Sequence, residues 1–341
     1  MLLLSAFLQV LLHDCSFSDL LDSCIFVVNE TTFLFKLLQI HQKAELLEKL
    51  RLYLQDIRAT DVSKRMMENL LVRQSKRNKI ALIYRSLLCL FVVEHFLMLF
   101  IQTERKFLPI MTWIPYDYSK FSLYYPTFSF QIVVVSISAL SDISLDCIYY
   151  ALIDVVCCQL DILIYYFKAL NFSKNRDFIK TKLKMNIVYH QKVIDFVKDI
   201  EKLYSNIIFS ELLKSLIEIC FIGFRLTVLD VSSMEFFMQL FYFMGMFCEI
   251  LCYCWFGEIL TLKSKEIGDA CYMTPWNEFD KELKNMLLIM ITRSQVPLVI
   301  RAGFMKLSLR TLTGVSIIML GILSVIYTKS STQNHFDNNP I

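Results

Sequence analysis

Four ionisable residues, Glu211, Lys214, Glu218 and Arg225, interrupt an otherwise apolar stretch at offsets of 0, 3, 7 and 14. At 100° per residue those offsets fall within a sector of about 60°, so the four form one polar stripe along a helix. Such a stripe suits an ion-pair ladder in which Glu211 and Glu218 offset Lys214, or a water-filled, ion-conducting surface. His95 beside Glu94 is a second ionisable pair in apolar surroundings, either a functional site or a satisfied structural hydrogen bond. Cys248, Cys252 and Cys254 cluster without a CxxC pair or a nearby His, which favours packed thiols over a metal site. The chain has no HExxH, no glycine-rich phosphate loop and no GxSxG. Enzymatic chemistry therefore finds no support, and no cofactor or metal is expected.

Long apolar helices must position these groups. Of 341 residues, 56% are apolar, 14% aromatic and 20% charged, and the mean hydropathy is +0.50. Only 7 Gly and 6 Pro occur, with no glycine before Gly223, so a turn-rich β protein is excluded. A bilayer core of about 30 Å needs about 20 apolar residues in helix. Six runs qualify: Leu20 to Ile40, Ile80 to Ile101, Tyr124 to Tyr150, Ile207 to Leu229, Phe236 to Leu260 and Leu312 to Tyr327. The opening MLLLSAFLQVLL is too short to cross and has no basic n-region, so it reads as the end of a truncated first span. The expected class is an all-α integral membrane protein, a seven-transmembrane-helix bundle.

Lys and Arg set orientation. The segments between Ile40 and Ile80, Phe167 and Ser205, and Leu262 and Thr311 carry ten, nine and eight basic residues, against four in the opposite connectors and tail. That places the three basic segments and the N-terminus in the cytoplasm and the C-terminus outside. Lys36, Arg85, Lys214 and Arg225 remain inside spans. The Asn29 sequon then lies in a span and the Asn171 sequon in the cytoplasm, so neither is used for glycosylation. Within the basic segments, Leu46, Leu47, Leu50, Leu52 and Leu54, and again Ile187, Val188, Val193, Ile194, Val197 and Ile200, recur at near-helical spacing. These read as spans continuing below the membrane as amphipathic helices and offering an assembly surface, or else as helices lying on the membrane. In the last span Gly314 and Gly321 share one face, expected to pack inward on a neighbouring helix. Leu323 and Tyr327, near the opposite face, are left free to line a symmetry axis or to face lipid.

The C-terminal third carries a more specific signature. The stretch CYCWFGEILTLKSKEIGDACYMTPW contains Tyr253, Gly257, Ser264, Ala270, Tyr272 and Trp276. RSQVPLVIRAGFMKLSLRTL follows, with Arg293, Gln295, Pro297, Ala302, Gly303 and Leu307. In order and spacing these motifs resemble the insect odorant receptor family, and looser likeness, including WIPYDYSK, extends from about Leu20 to Lys329. The last span departs from many members in having Met319, Leu320 and Gly321 where they carry a Tyr-Ser pair.

The resemblance implies an odorant-gated, non-selective cation channel subunit in the plasma membrane of olfactory neurons. Its implied partners are a small hydrophobic volatile, a co-receptor in a heterotetramer, and the lipid bilayer; nucleic acid is not among them. Residues 1–12 would be the first-span remnant, 13–260 the bundle, 261–310 a cytoplasmic anchor, 311–328 the pore-lining span and 329–341 an extracellular tail. Carried over by position, the gate is Leu323, Ile326 and Tyr327, and the anchor includes Tyr272, Trp276, Gln295, Pro297 and Gly303. Depth in the spans proposes Phe26, Val27, His95, Phe96, Leu99, Phe130, Val134, Phe237 and Tyr242 as a mostly apolar ligand pocket. A gustatory receptor channel and a G-protein-coupled chemoreceptor are the alternatives. The first should carry a Thr-Tyr start and Gln-Phe finish in its last span, and the second an outside N-terminus and a membrane-embedded Asn-Pro-x-x-Tyr; neither is found here.

Overall fold

A computed structural model describes residues 17–58, 121–170, 175–230 and 232–314, with isolated positions at 86, 108, 114, 116, 316, 317, 321 and 324. The Ile80 to Ile101 run, the Asn171 sequon, the opening segment and the tail lie outside the described residues, as do His95, Phe96, Leu99, Leu323, Ile326 and Tyr327.

Four long helices and two shorter ones carry the described chain: α1 (Phe17–Gln42), α2 (Ala44–Arg58), α3 (Phe121–Ala169), α4 (Arg176–Val228), α5 (Met234–Tyr272) and α6 (Lys281–Ser294). A 3₁₀ turn, Trp276–Glu278, separates the last two. Caps mark the starts where the sequence supplies oxygen acceptors. Asn175 accepts from the backbone N–H of Asp177 and Phe178, Ser233 from that of Phe236, and Asp280 from that of Leu283. Between α4 and α5 the chain reverses through Asp230, whose side chain accepts from Ser232 N–H.

Side-chain pairings give the helix directions. Glu30 and Lys36 of α1 meet Ser138 and Asp146 of α3, and Tyr150 and Asp161 of α3 meet Phe256 and Lys263 of α5, so α1, α3 and α5 run parallel. Lys36 meets Glu211 while Lys43 meets Lys202, so α4 runs against them. Three helices, Ser23–Gln42, Leu123–Ala169 and Met234–Tyr272, are long and apolar enough to cross a membrane among the described residues. The Ile207 to Leu229 run is helical as expected but carries four ionisable groups.

With 49 residues in α3 and 53 in α4, these helices span roughly 74 and 80 Å, more than twice a bilayer core. The spans therefore do continue as helices beyond any membrane. There the apolar stripe of α4 is buried as its spacing requires, with Val193, Ile194, Val197 and Ile200 inside and Val188 exposed. Helix α2 packs on it through buried Leu50, through Tyr53 stacked at 4.1 Å on Phe196, and through the Lys49–Asp199 ion pair at 2.5 Å. Leu47 and Leu52 face outward.

After α6 comes a hairpin too short for a period-two sequence signal, β1 (Arg301–Ala302) antiparallel to β2 (Met305–Lys306). Gly303 opens its two-residue turn at φ 59°, a conformation that favours glycine. Its N–H donates to Ser205 Oγ of α4 at 3.0 Å, and the Phe209 ring sits where a Cβ would be crowded at 3.1 Å.

His190, on the α4 extension, is buried, and that burial together with Arg293 of α6 pushes it down to about 4. Between pH 6.5 and 4 the unfolded chain binds a proton that the folded chain excludes, so stability falls as pH falls through that window. Thermal melts of the purified protein should therefore lose up to about 3 kcal/mol more on acidification than melts of His190→Gln. Identical pH profiles would contradict a buried neutral His190.

Candidate functional site

An ionic cluster joins four helices. The Lys36 ammonium of α1 lies 2.6 Å from Asp142 and 2.9 Å from Asp146 on α3, and 2.7 Å from Glu211 on α4. Lys214, one turn beyond Glu211, pairs with it at 2.5 Å and reaches Glu249 of α5 at 3.5 Å. Tyr253, also on α5, donates its hydroxyl to Asp146 at 2.6 Å. Lys36 is fully buried and Lys214 nearly so. Burying charges this deeply is tolerable only when each is paired and hydrogen-bonded, as these lysines are.

On one side of the cluster aromatic rings close the bundle. Tyr149, Tyr150, Tyr204 and Tyr253 are all buried, with ring centroids 5.1 to 5.4 Å apart from Tyr149 to Tyr204, Tyr149 to Tyr253 and Tyr150 to Tyr253. Phe256 stacks on Tyr150 at 4.9 Å. On the other side the polar stripe continues through Glu218, which accepts from the Tyr242 hydroxyl at 3.4 Å. Tyr242 in turn accepts from Asn29 Nδ2 at 3.1 Å.

The stripe on α4 thus exists, but its partners differ from those expected. Glu218 acts on Lys214 only through space and makes no close ion pair with it; Glu211, Glu249 and, through Glu211, Lys36 make the paired network. Sequence reasoning missed Asp142, Asp146 and Glu249. Their available signal was an Asp pair one turn apart in one apolar run and Glu249 in the middle of another.

The proposed pocket positions are placed unevenly. Tyr242 is half-buried and tied into the bundle, and Phe26, Val27 and Val134 are half-buried on α1 and α3. Phe130 and Phe237 turn more than half of their surface outward.

The C-terminal motif divides in two. Tyr253, Gly257, Ser264, Ala270, Ala302 and Leu307 are packing residues. A Cβ on Gly257 would lie 2.8 Å from both the Leu307 side chain and its carbonyl, so glycine is what lets the chain leaving the hairpin touch α5. Ser264 Oγ accepts from Leu298 N–H at 2.9 Å. Tyr272, Trp276 and Gln295 are instead exposed, Pro297 is half-buried, and Tyr272 and Trp276 lie 6.3 Å apart.

One expectation is corrected. Gly314 and Gly321 do not pack inward: a Cβ on either meets nothing within 4 Å, and Ile317 is exposed. Small residues permit close approach without specifying which chain approaches, and among the described residues nothing lies against either glycine.

The profile of the 7tm Odorant receptor family matches residues 16–317. The chain belongs to the 7tm odorant receptor family. As an odorant receptor it is 26% identical over 218 residues to putative odorant receptor 85d of Drosophila melanogaster, covering 62% of this chain and 52% of that one. It is 30% identical over 131 residues to odorant receptor 10 of Aedes albopictus, covering 38% and 34%. The matched region therefore spans about half the length, or less, of these curated relatives. Among solved structures, the insect olfactory receptor OR5 of Machilis hrabei in complex with eugenol superposes with a TM-score of 0.84 at 15% identity, over 96% of this receptor and 85% of OR5. The fold is accordingly the seven-transmembrane helical bundle of that class, in a multi-pass membrane protein.

Removing one partner of a buried ion pair costs about 3–5 kcal/mol, because the other charge is left unpaired. Lys36→Met takes the paired cation from Asp142 and Asp146 and leaves Glu211 with Lys214 alone. It should lower the melting temperature of the receptor in lipid nanodiscs markedly, and adding Asp146→Asn and Glu211→Gln should recover part of the loss. Unchanged melting of Lys36→Met would show the cluster to be solvated.

Proposed function

We propose that this receptor is an odorant-gated, non-selective cation channel subunit working with a shared co-receptor. The observation that carries the reading is the family match across residues 16–317, which includes the exposed aromatic motif after α5. In this reading the ends of α1, α3 and α5 nearer their N-termini face outward, and α2, the first half of α4, α6 and the hairpin stand in the cytoplasm, where their basic residues are retained. OR5, with which this chain shares its fold, was solved with eugenol, a small molecule of mostly apolar surface. A small volatile held among Phe26, Val27, His95, Phe96, Leu99, Phe130, Val134, Phe237 and Tyr242 is the corresponding ligand here.

The remaining roles follow from exposure and position. Residues 261–310 form the anchor, whose outward Tyr272, Trp276 and Phe304 supply large apolar contacts to a neighbouring subunit, with Gln295, Pro297 and Gly303 shaping the surface beside them. The span beginning near residue 311 lines the pore, with Leu323, Ile326 and Tyr327 as gate; the open glycine face at Gly314 and Gly321 suits a helix whose neighbours belong to other subunits.

Cells co-expressing this chain and the co-receptor should give volatile-evoked cation current that persists when G proteins are blocked. Current abolished by the block would overturn the channel reading in favour of a G-protein-coupled chemoreceptor.

A further inference from the structure

Next to the apolar pocket positions lie polar groups that the fold and the gating scheme leave without a task. One turn along α1 from Phe26 and Val27 are Asn29 and Glu30; one turn along α3 from Val134 is Ser138, which donates to Glu30 at 2.7 Å. Helix α5 contributes Tyr242, itself a pocket position, and α4 contributes Ser215 and Glu218. Tyr242, Glu218 and Asn29 lie about 12, 15 and 18 Å along their helices from the ends placed outside, which puts them at one level.

Glu218 is the odd member. It is 1% exposed, and its only hydrogen bond among the described residues comes from Tyr242 to Oε2. Its Oε1 is buried without a hydrogen-bond partner, and so is Ser215 Oγ almost one turn away on the same helix. The close partners of both cluster lysines are other carboxylates, Asp142, Asp146 and Glu211 for Lys36 and Glu211 and Glu249 for Lys214, so the Lys214 charge reaches Glu218 only through space. Among the described residues no lysine or arginine pairs with Glu218. An acceptor oxygen and a hydroxyl, both buried without hydrogen-bond partners within one turn of a helix, are costly to the empty protein and rewarding to any molecule that brings a donor.

We propose that Glu218, with Ser215 and Tyr242 beside it, is the polar anchor of the odorant pocket, and that its ligands are small apolar molecules ending in a hydrogen-bond donor, an amine or an alcohol. The proposal rests on the pocket reading above. The apolar body lies against Phe26, Val27 and Val134, and the donor reaches Glu218 Oε1. An ether of the same size fills the apolar part but leaves the carboxyl oxygen unpaired, and sites built for a donor reject such analogues strongly.

The test compares n-alkylamines, n-alkanols and their methyl ethers of about four to eight carbons, with tenfold or greater preference for the donors expected. Binding is read as the ligand-induced rise in melting temperature of the purified receptor, and gating as current with the co-receptor. Glu218→Met should abolish the preference for amines and alcohols while leaving the ether response unchanged. Glu218→Gln keeps an acceptor, so alcohol responses survive it; a selective loss of amine responses identifies the amine as held by the charged carboxylate. Ethers as effective as alcohols on the parent receptor, or Glu218→Met weakening all three classes equally, would overturn the proposal. Donor-selective melting shifts without any volatile-evoked current would uphold this anchor while the channel reading failed; ether-evoked current without donor preference would do the reverse.

Discussion

A single ammonium group organises the bundle. Lys36 on α1 is enclosed by carboxylates of α3 and α4, and Lys214 extends the same network to Glu249 on α5. Many other contacts between these helices are apolar, and apolar burial is less directional than the pairing of charges. A buried ion pair does not slide, since displacement by one turn of about 5.4 Å would leave charges unpaired in a medium that cannot solvate them. The cluster therefore sets the register of four helices at one level, and everything on either side inherits it.

On the side of the α4 N-terminus, that register brings the tyrosine group together and delivers α4 to the hairpin, where Ser205 and Phe209 hold Gly303. On the opposite side it brings Asn29, Tyr242 and Glu218 into one chain of hydrogen bonds beside the pocket positions. Helix α4 touches all three levels. It carries Glu218, then Lys214 and Glu211, then Ser205, within fourteen residues, so the proposed ligand level and the proposed anchor are joined by about 20 Å of continuous helix. No flexible linker intervenes.

Much of this was legible in the sequence because it is local and periodic. Apolar runs gave the positions of α1, α3 and α5, and the 3.6-residue repeat gave the stripe on α4 and the buried face of its extension. The partners of Lys36 were not legible: Asp142, Asp146 and Glu211 lie more than 100 positions away, and nothing local states which helices adjoin. The hairpin escaped notice because two-residue strands have no alternation to read. Gly314 and Gly321 were expected to pack inward on a neighbouring helix, and the structure leaves open space at both. The motif from Tyr253 to Leu307 identified the family as a string of residues, yet only the structure separates those that pack, such as Gly257 and Ser264, from Tyr272 and Trp276, which face outward.

The most direct test of the organising role of Lys36 is a double-mutant cycle between Lys36→Met and Glu211→Gln, read as unfolding free energy in lipid nanodiscs. Helices locked by this pair predict a coupling energy well above the few tenths of a kcal/mol seen for independent sites. Strict additivity of the two substitutions would show that α1 and α4 find their register without it.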